Sequence, residues 1–463
     1  MSVRSPLGAT PQTGGFELST GALGARGAAS RSRLGLIGLA GVLVTGLLVT
    51  ISAANTEALL PESIRPVPAS LAGAFADGPN LHPGGAIAAL SLMFISYVVA
   101  VAASGRLSAR AVLMSIAALH ALVLLAPPLI STDIFSYQAY ARMGATYGAN
   151  PYLIGPHAIA MDPVFPYIGA KWSYIPSVYG PVFTVFSYAL APLSIAASVG
   201  LYKSIAAVAS LALVAIVWNT ARVRGANPVR AAALVGLNPL LVLYGVGGGH
   251  NDLLMLVAST AAIYAILVSR ERLGGGLAVL AVGIKLTAGM LLPFAVAAGG
   301  PRRGRDRRRD LLLGAGAVFA LIVSITVALY GTGALRLLAT VQRTQSEGDW
   351  HSLPGFVSTR LGLPTAGHIL GFVLAAAFVG VCAWLLRRVW RGRSDWIDAA
   401  GWATVAMLIA ASALLPWYVA WALPLAAVGT DRRLFRAVLA LTGVVLAVQM
   451  LGYIPHGGSS PFG

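Results

Sequence analysis

The chain is 463 residues long, 57% hydrophobic and only 10% charged, with a mean hydropathy of +0.79 and a formal charge of +17. That composition excludes a soluble globular domain, because apolar runs reach the roughly 20 residues that cross a bilayer. It also excludes an intrachain disulfide, since Cys382 is the only cysteine.

Residues 1–32 are rich in Gly, Ser, Ala and Thr with scattered arginines, and predict a disordered cytoplasmic tail. Membrane segments are expected at 34–53, 84–104, 109–128, 202–220, 231–247, 251–268, 311–330, 366–386, 397–413, 415–430 and 436–454. The first of these is too long for a signal-peptide core and reads as a signal anchor. The stretch 277–298 is interrupted by Lys285 and Pro293, and reads as a broken, re-entrant pair with both ends on one side. The stretch 181–198 reads as a helix lying at the outer interface.

With Arg4, Arg26, Arg31 and Arg33 placed inside, nearly the whole positive surplus falls on the inside loops, including the arginine block at 302–309. The charge is therefore a topology signal and a contact for anionic membrane lipid, and no nucleic-acid partner is expected. The fold class that follows is all-α and polytopic, with about 13 membrane segments. Residues 33–456 form the membrane domain, with outer loops at about 129–200 and 331–365 and a short outer tail at 457–463. The expected location is the plasma membrane, with the amino terminus cytoplasmic and the functional loops outside.

The polar residues capable of chemistry gather on those outer loops. Asp133 follows Pro127-Pro128 within Ser131-Thr132-Asp133-Ile134-Phe135-Ser136-Tyr137. It reads either as a helix cap or as a general base that deprotonates an acceptor hydroxyl. Tyr137, Arg142, Tyr152, Trp172 and Tyr179 follow in a loop shaped by Pro and Gly, where rings suit sugar stacking or interfacial anchoring. The turn Gly247-Gly248-Gly249-His250-Asn251-Asp252 adds a second carboxylate and a histidine, with helix capping as the plainer alternative.

Lys285, an ionisable residue inside an apolar run, is the sharpest basic signal and suits a lipid phosphate, with a structural ion pair within the bundle as the plainer alternative. Arg343 and His351 on the second outer loop could bind phosphate or a polar acceptor, and Trp417-Tyr418 make an aromatic corner. The seven histidines are scattered without metal-ligand spacing, so no metal is expected. No other cofactor is expected either, because a lipid-phosphate sugar would be a substrate.

Together with Asn150-Pro151-Tyr152, Tyr179-Gly180-Pro181, Lys285-Leu286-Thr287 and Pro416-Trp417-Tyr418, these motifs resemble the actinobacterial polyprenol-phosphomannose-dependent α-1,6-mannosyltransferases. That family builds the mannan backbone of lipomannan and lipoarabinomannan on a multi-spanning, C-type glycosyltransferase fold. The resemblance runs from about residue 34 to 430 and leaves a separate carboxy-terminal outer domain unmatched. It implies that Asp133 is the catalytic aspartate and that the Lys285 segment is the family's broken basic helix pair. It further implies hexosyl, here mannosyl, transfer from a polyprenyl-phosphate sugar donor to a glycolipid or glycan acceptor, by inverting single displacement. The rival expectation from the residues alone is a transporter or flippase for a lipid-linked sugar.

Overall fold

The computed structural model of the chain describes residues 18–298, 305–346 and 348–453. Most of the tail expected over 1–32, and all of the one at 457–463, lies outside them. Among the described residues every regular element is helical. In chain order they are α1 (Leu18–Ser52), α2 (His82–Ala103), α3 (Ala109–Leu125), α4 (Asp133–Ala145), α5 (Pro181–Tyr188) and α6 (Ile195–Val223). Next come α7 (Pro228–Gly236), a π-helical turn Leu240–Val246, α8 (Asp252–Leu267), α9 (Glu271–Ile284), α10 (Leu291–Ala297) and α11 (Arg305–Tyr330). The last are α12 (Arg336–Ser346), α13 (Pro364–Trp390), α14 (Trp396–Ala410), α15 (Leu423–Val428) and α16 (Arg432–Leu451).

Six helical stretches are long and apolar enough to cross a membrane, and the pair Pro228–Gly236 and Leu240–Val246, bent by 52°, makes a seventh if taken as one span. That is fewer than the segments read from the sequence. The difference lies in apolar helices of 10–17 residues such as Asp252–Leu267 and Trp396–Ala410, which are too short to count alone. The bend in the pair follows from Asn238-Pro239. Asn238 is fully buried, and its Oδ1 accepts from Leu240 N at 3.0 Å and Leu241 N at 3.1 Å. Its Nδ2 donates to the hydroxyls of Tyr97 and Thr442, both at 3.1 Å, so the break is satisfied inside the core.

The interface helix expected over 181–198 is corrected. Helix α5 stops at Tyr188, and the long α6 already starts at Ile195, seven residues before the predicted span. Pro192 forbids a continuous helix, and Ser194 caps α6 by accepting from Ala197 N at 3.3 Å. Lys203 therefore sits well inside α6 and is 2% exposed. Its ammonium donates to the carbonyls of Val123, Leu124, Ala126 and Pro127, the end of α3. A cation on the last carbonyls of a helix satisfies acceptors that have no intrahelical donor.

The segment 277–298 does break at Lys285. Helix α9 ends at Ile284, Lys285 is extended (φ −151, ψ 126), and a 3-10 stretch Leu286–Met290 leads into α10. Glu271, at the start of α9, and Ala298, after the end of α10, line the same cavity. The chain thus enters and leaves at one end, with Lys285 at the turning point. Helix α9 packs between α8 and α11, and α8 also packs on α6.

Candidate functional site

The site is assembled where α4, α8, the Lys285 break and the corner Pro416–Trp421 meet. Its first component is the link Leu129–Thr132. Leu129 N donates to Gly247 O and Ile130 N to Leu59 O, each at 3.1 Å, so the link is tied to two other loops. Ser131 Oγ accepts from Asp133 N at 3.2 Å, and Thr132 makes no side-chain cap. Local capping thus falls to Ser131, and the Asp133 carboxylate, 13% exposed, turns elsewhere. Its Oδ2 lies 3.4 Å from Nδ1 of His250, whose side chain is wholly buried.

The glycine turn makes that meeting possible. Gly249 has φ +65, and a β-carbon there would lie 2.7 Å from Ile134 Cδ1. Only glycine lets the turn close against α4 in this conformation. His250 then stacks on Trp417, ring centroids 4.0 Å apart. Asn251 joins the same cluster: Tyr137 Oη donates to its Oδ1 and accepts from its N, both at 3.3 Å. Neither Asn251 nor Thr132 caps its helix through a side chain.

The second component is an ion pair. Lys285 Nζ donates to both carboxylate oxygens of Asp252 at 2.8 Å, and Trp421 Nε1 donates to Asp252 Oδ1 at 2.6 Å. Asp252 is 2% exposed, so its charge is held by these donors rather than by water. Tyr418 and Trp421 stack with centroids 4.1 Å apart, and Lys285 Nζ stands 5.0 Å from the Tyr418 ring and 5.3 Å from that of Trp421. The ammonium is thus both ion-paired and covered by aromatic faces.

The third component comes from the loop after α12. Asp349 N donates to Ser412 O at 2.9 Å, and Asp349 Oδ1 lies 2.7 Å from His351 Nδ1. His351 packs on Trp350 with centroids 3.8 Å apart, and Arg360 covers that indole at 4.3 Å. The Tyr418 hydroxyl stands within electrostatic range of Asp252, Asp133 and Asp349.

Several expected ligand residues are spent on the protein itself. Arg142 pairs with Asp162 at 3.2 Å and donates to Leu193 O at 2.8 Å, and Tyr147 donates to Asp162 at 2.9 Å. That cluster fastens the end of α4 to the following loop. Tyr152 is buried, donating to Tyr179 O and Thr184 Oγ1, both at 3.0 Å, while its ring packs edge-on against Tyr330. Tyr137 and Tyr179 are buried against each other, centroids 4.7 Å apart. Burial together with the charge of Asp133 drives the Tyr179 phenol far above its usual pKa of 10.0, so it stays protonated.

Trp172 is half-buried, and a β-carbon on Gly169 would lie 3.5 Å from its Cδ1 and 3.4 Å from Thr132 Oγ1. Arg343 is exposed on α12. Trp421 and Asp349, which the sequence motifs above do not include, prove central to the cluster. Their spacing was the available signal: Trp421 lies one helical turn beyond Trp417, and Asp349 two residues before His351.

Asp133, Lys285, Tyr418 and His351 are only partly buried, and Asn251 Nδ2 and Trp417 Nε1 are buried donors without an acceptor among the described residues. The arrangement offers a carboxylate base beside an imidazole, a cation, and spare donors. Among the described residues no group of three His, Cys, Asp or Glu side chains is placed to hold a metal ion.

Long apolar helices that carry such an acid, base and cation cluster where short helices end define a polytopic membrane enzyme. The sequence comparisons then specify its kind. The family model for alpha-(1->6)-mannopyranosyltransferase, N-terminal domain, matches residues 32–299, more than half of the chain, and the model for the MptB C-terminal domain matches residues 353–461. The chain belongs to this family of mannosyltransferases.

Its relatives include alpha-(1->6)-mannopyranosyltransferase A of Mycobacterium tuberculosis, 28% identical over 367 residues, 72% of this chain and 68% of that protein. Alpha-(1->6)-mannopyranosyltransferase B of Corynebacterium glutamicum is 26% identical over 381 residues, 74% of this chain and 62% of that protein. The chain spans about two thirds of the length of these relatives. No solved structure matches it.

Proposed function

We propose that this protein transfers a mannosyl unit from a polyprenyl-phosphate donor to a hydroxyl of a glycan or glycolipid acceptor at the outer face of the plasma membrane, with Asp133 as general base. The observation that carries the reading is the Asp133–His250 contact. A carboxylate at the first turn of a helix would ordinarily cap it, yet this one is released by Ser131 and held 3.4 Å from a buried imidazole. A partly exposed carboxylate beside an imidazole suits proton abstraction.

The step balances simply. The acceptor oxygen attacks the anomeric carbon as Asp133 takes its proton. The bond from that carbon to the phosphate oxygen breaks, and polyprenyl phosphate leaves with the electron pair, so the anomeric centre inverts. Positive charge develops on the sugar ring in the transition state, and the carboxylates around Tyr418 favour it electrostatically.

Lys285 has three donors, two of them on Asp252, which leaves one N–H for the departing phosphate. His351, oriented by Asp349, and exposed Arg343 offer further donors from the neighbouring loop.

The test is transfer by the reconstituted protein from labelled polyprenyl-phosphate mannose to a short α-mannoside. Asp133→Asn should lower the rate about 100- to 10,000-fold with folding and donor binding intact. Equal rates for the two proteins would return Asp133 to a structural role.

A further inference from the structure

The end of the molecule opposite the Asp133 site holds a second polar feature. A cavity of about 330 Å³ opens between α6, α8, α9, α10, α11 and α14. Helix α9, with 14 residues, separates Glu271 in this cavity from the Lys285 turn by about 21 Å. Helix α8 runs the same way, from Asp252 in the site to Leu267 in the cavity wall. The cavity is therefore not part of the transfer site.

Three guanidinium groups line it, against two carboxylates. Arg224 pairs with Asp395 at 3.1 Å and Arg307 with Glu271 at 2.5 Å. Arg308 lines the cavity too, with its guanidinium 4.4 Å over the Trp390 ring. The Arg224 side chain is only 10% exposed, and its Nε is a buried donor with no acceptor among the described residues. A buried guanidinium donor left over from an ion pair is costly unless an acceptor meets it.

Apart from Ser269, the remaining wall is apolar, with Ile266, Val296, Leu311 and Trp396. A cavity of about 330 Å³ has room for a phosphate group. Arginines above an apolar wall, between helices that cross a membrane, match a phosphodiester headgroup with its acyl chain leaving sideways.

We infer that this cavity binds the phosphate of an anionic glycerophospholipid from the leaflet at that end. The arginine-rich start of α11 lies on the same side, as the positive-inside expectation requires of the cytoplasmic leaflet. The proposal is independent of the transfer reaction, and its readout needs no turnover.

The experiment is thermal unfolding of the purified full chain in neutral detergent, titrated with dihexanoyl phosphatidylglycerol, dihexanoyl phosphatidylcholine or inorganic phosphate. The expected result is a saturable rise in Tm of about 4 °C with the glycerol lipid alone. Arg224→Gln/Asp395→Asn, which removes both charges and leaves no unpaired carboxylate, should abolish the rise.

Arg272→Gln is the control, because Arg272 pairs with Asp310 on the exposed surface of the same end and does not line the cavity. It should keep the rise. Equal protection by phosphate or by the choline lipid overturns the assignment. So does a rise that survives the double substitution, or one that Arg272→Gln removes just as well.

Discussion

Lys285 and Asp252, 33 positions apart, meet through two hydrogen bonds of 2.8 Å at the point where the broken segment turns. The pair links the tip of that segment to the first residue of α8. Lys285→Met would leave Asp252 as a buried charge with only the Trp421 indole beside it. The expected loss is about 3–5 kcal/mol of stability. Lys285→Met/Asp252→Asn should recover much of that loss while remaining inactive. Thermal unfolding in detergent, run beside the transfer assay, separates the two effects.

Gly180 is pressed against the same turn. Its N–H donates to Ile284 O at 3.0 Å, and a β-carbon on it would lie 2.2 Å from Gly283 O. Backbone cannot yield as a flexible side chain would. Gly180→Ala should cost about 1–3 kcal/mol and displace Lys285 relative to the Asp133 loop. Transfer should fall more than stability does, which rate and Tm measured on one preparation would reveal.

Lys203 governs the approach to Asp133 from the other side, since it holds the last carbonyls of α3 just before Pro127-Pro128. Lys203→Met keeps the stem and removes the donors. A loss of about 3 kcal/mol is expected, from buried carbonyls left without partners. Hydrogen exchange should rise between residues 123 and 135 before it rises elsewhere.

Asp431 offers a pH test away from the site. The Trp402 indole donates to its Oδ2 at 2.9 Å and outweighs the opposing effect of burial, while Arg433 N donates to Oδ1 at 2.8 Å. These hold its carboxyl below the usual 3.8. A depressed folded pKa contributes stability that is complete above the unfolded value and lost as pH falls through the folded one. Asp431→Asn should therefore flatten the fall in Tm below pH 3.8 and lower Tm slightly at neutral pH. An unchanged acid limb would show that another carboxylate governs it.

Local chemistry was legible in the sequence, and long-range pairing was not. Lys285 stood out because a charge in an apolar run must have a reason, and the chain does break there. The glycine turn before His250 was equally plain. Periodicity could not tell that Lys285 would choose Asp252, or that Arg142 would choose Asp162 over a ligand. Both choices depend on which loops the helices bring together. The misplaced start of α6 has a local cause: a run of Ala, Leu and Ile around Pro192 looks alike in a surface helix and a buried one, and only the Ser194 cap marks the boundary.

Helices α11 and α13, with 26 and 27 residues, are about 40 Å long, while α8 and α14, with 16 and 15, reach only about 24 Å. Both α8 and α11 line the arginine-lined cavity, α8 through Ile266 and Leu267 and α11 through Arg307, Arg308 and Leu311, so α11 runs on past α8 by roughly 5–10 Å at the other end. There its Tyr330 carbonyl meets Asn150 of the loop after α4. The cluster built on Asp252 consequently lies below the level at which α11 ends. For the polyprenyl-linked donor proposed above, the reacting carbon would not have to rise to the level of Tyr330 to meet that cluster.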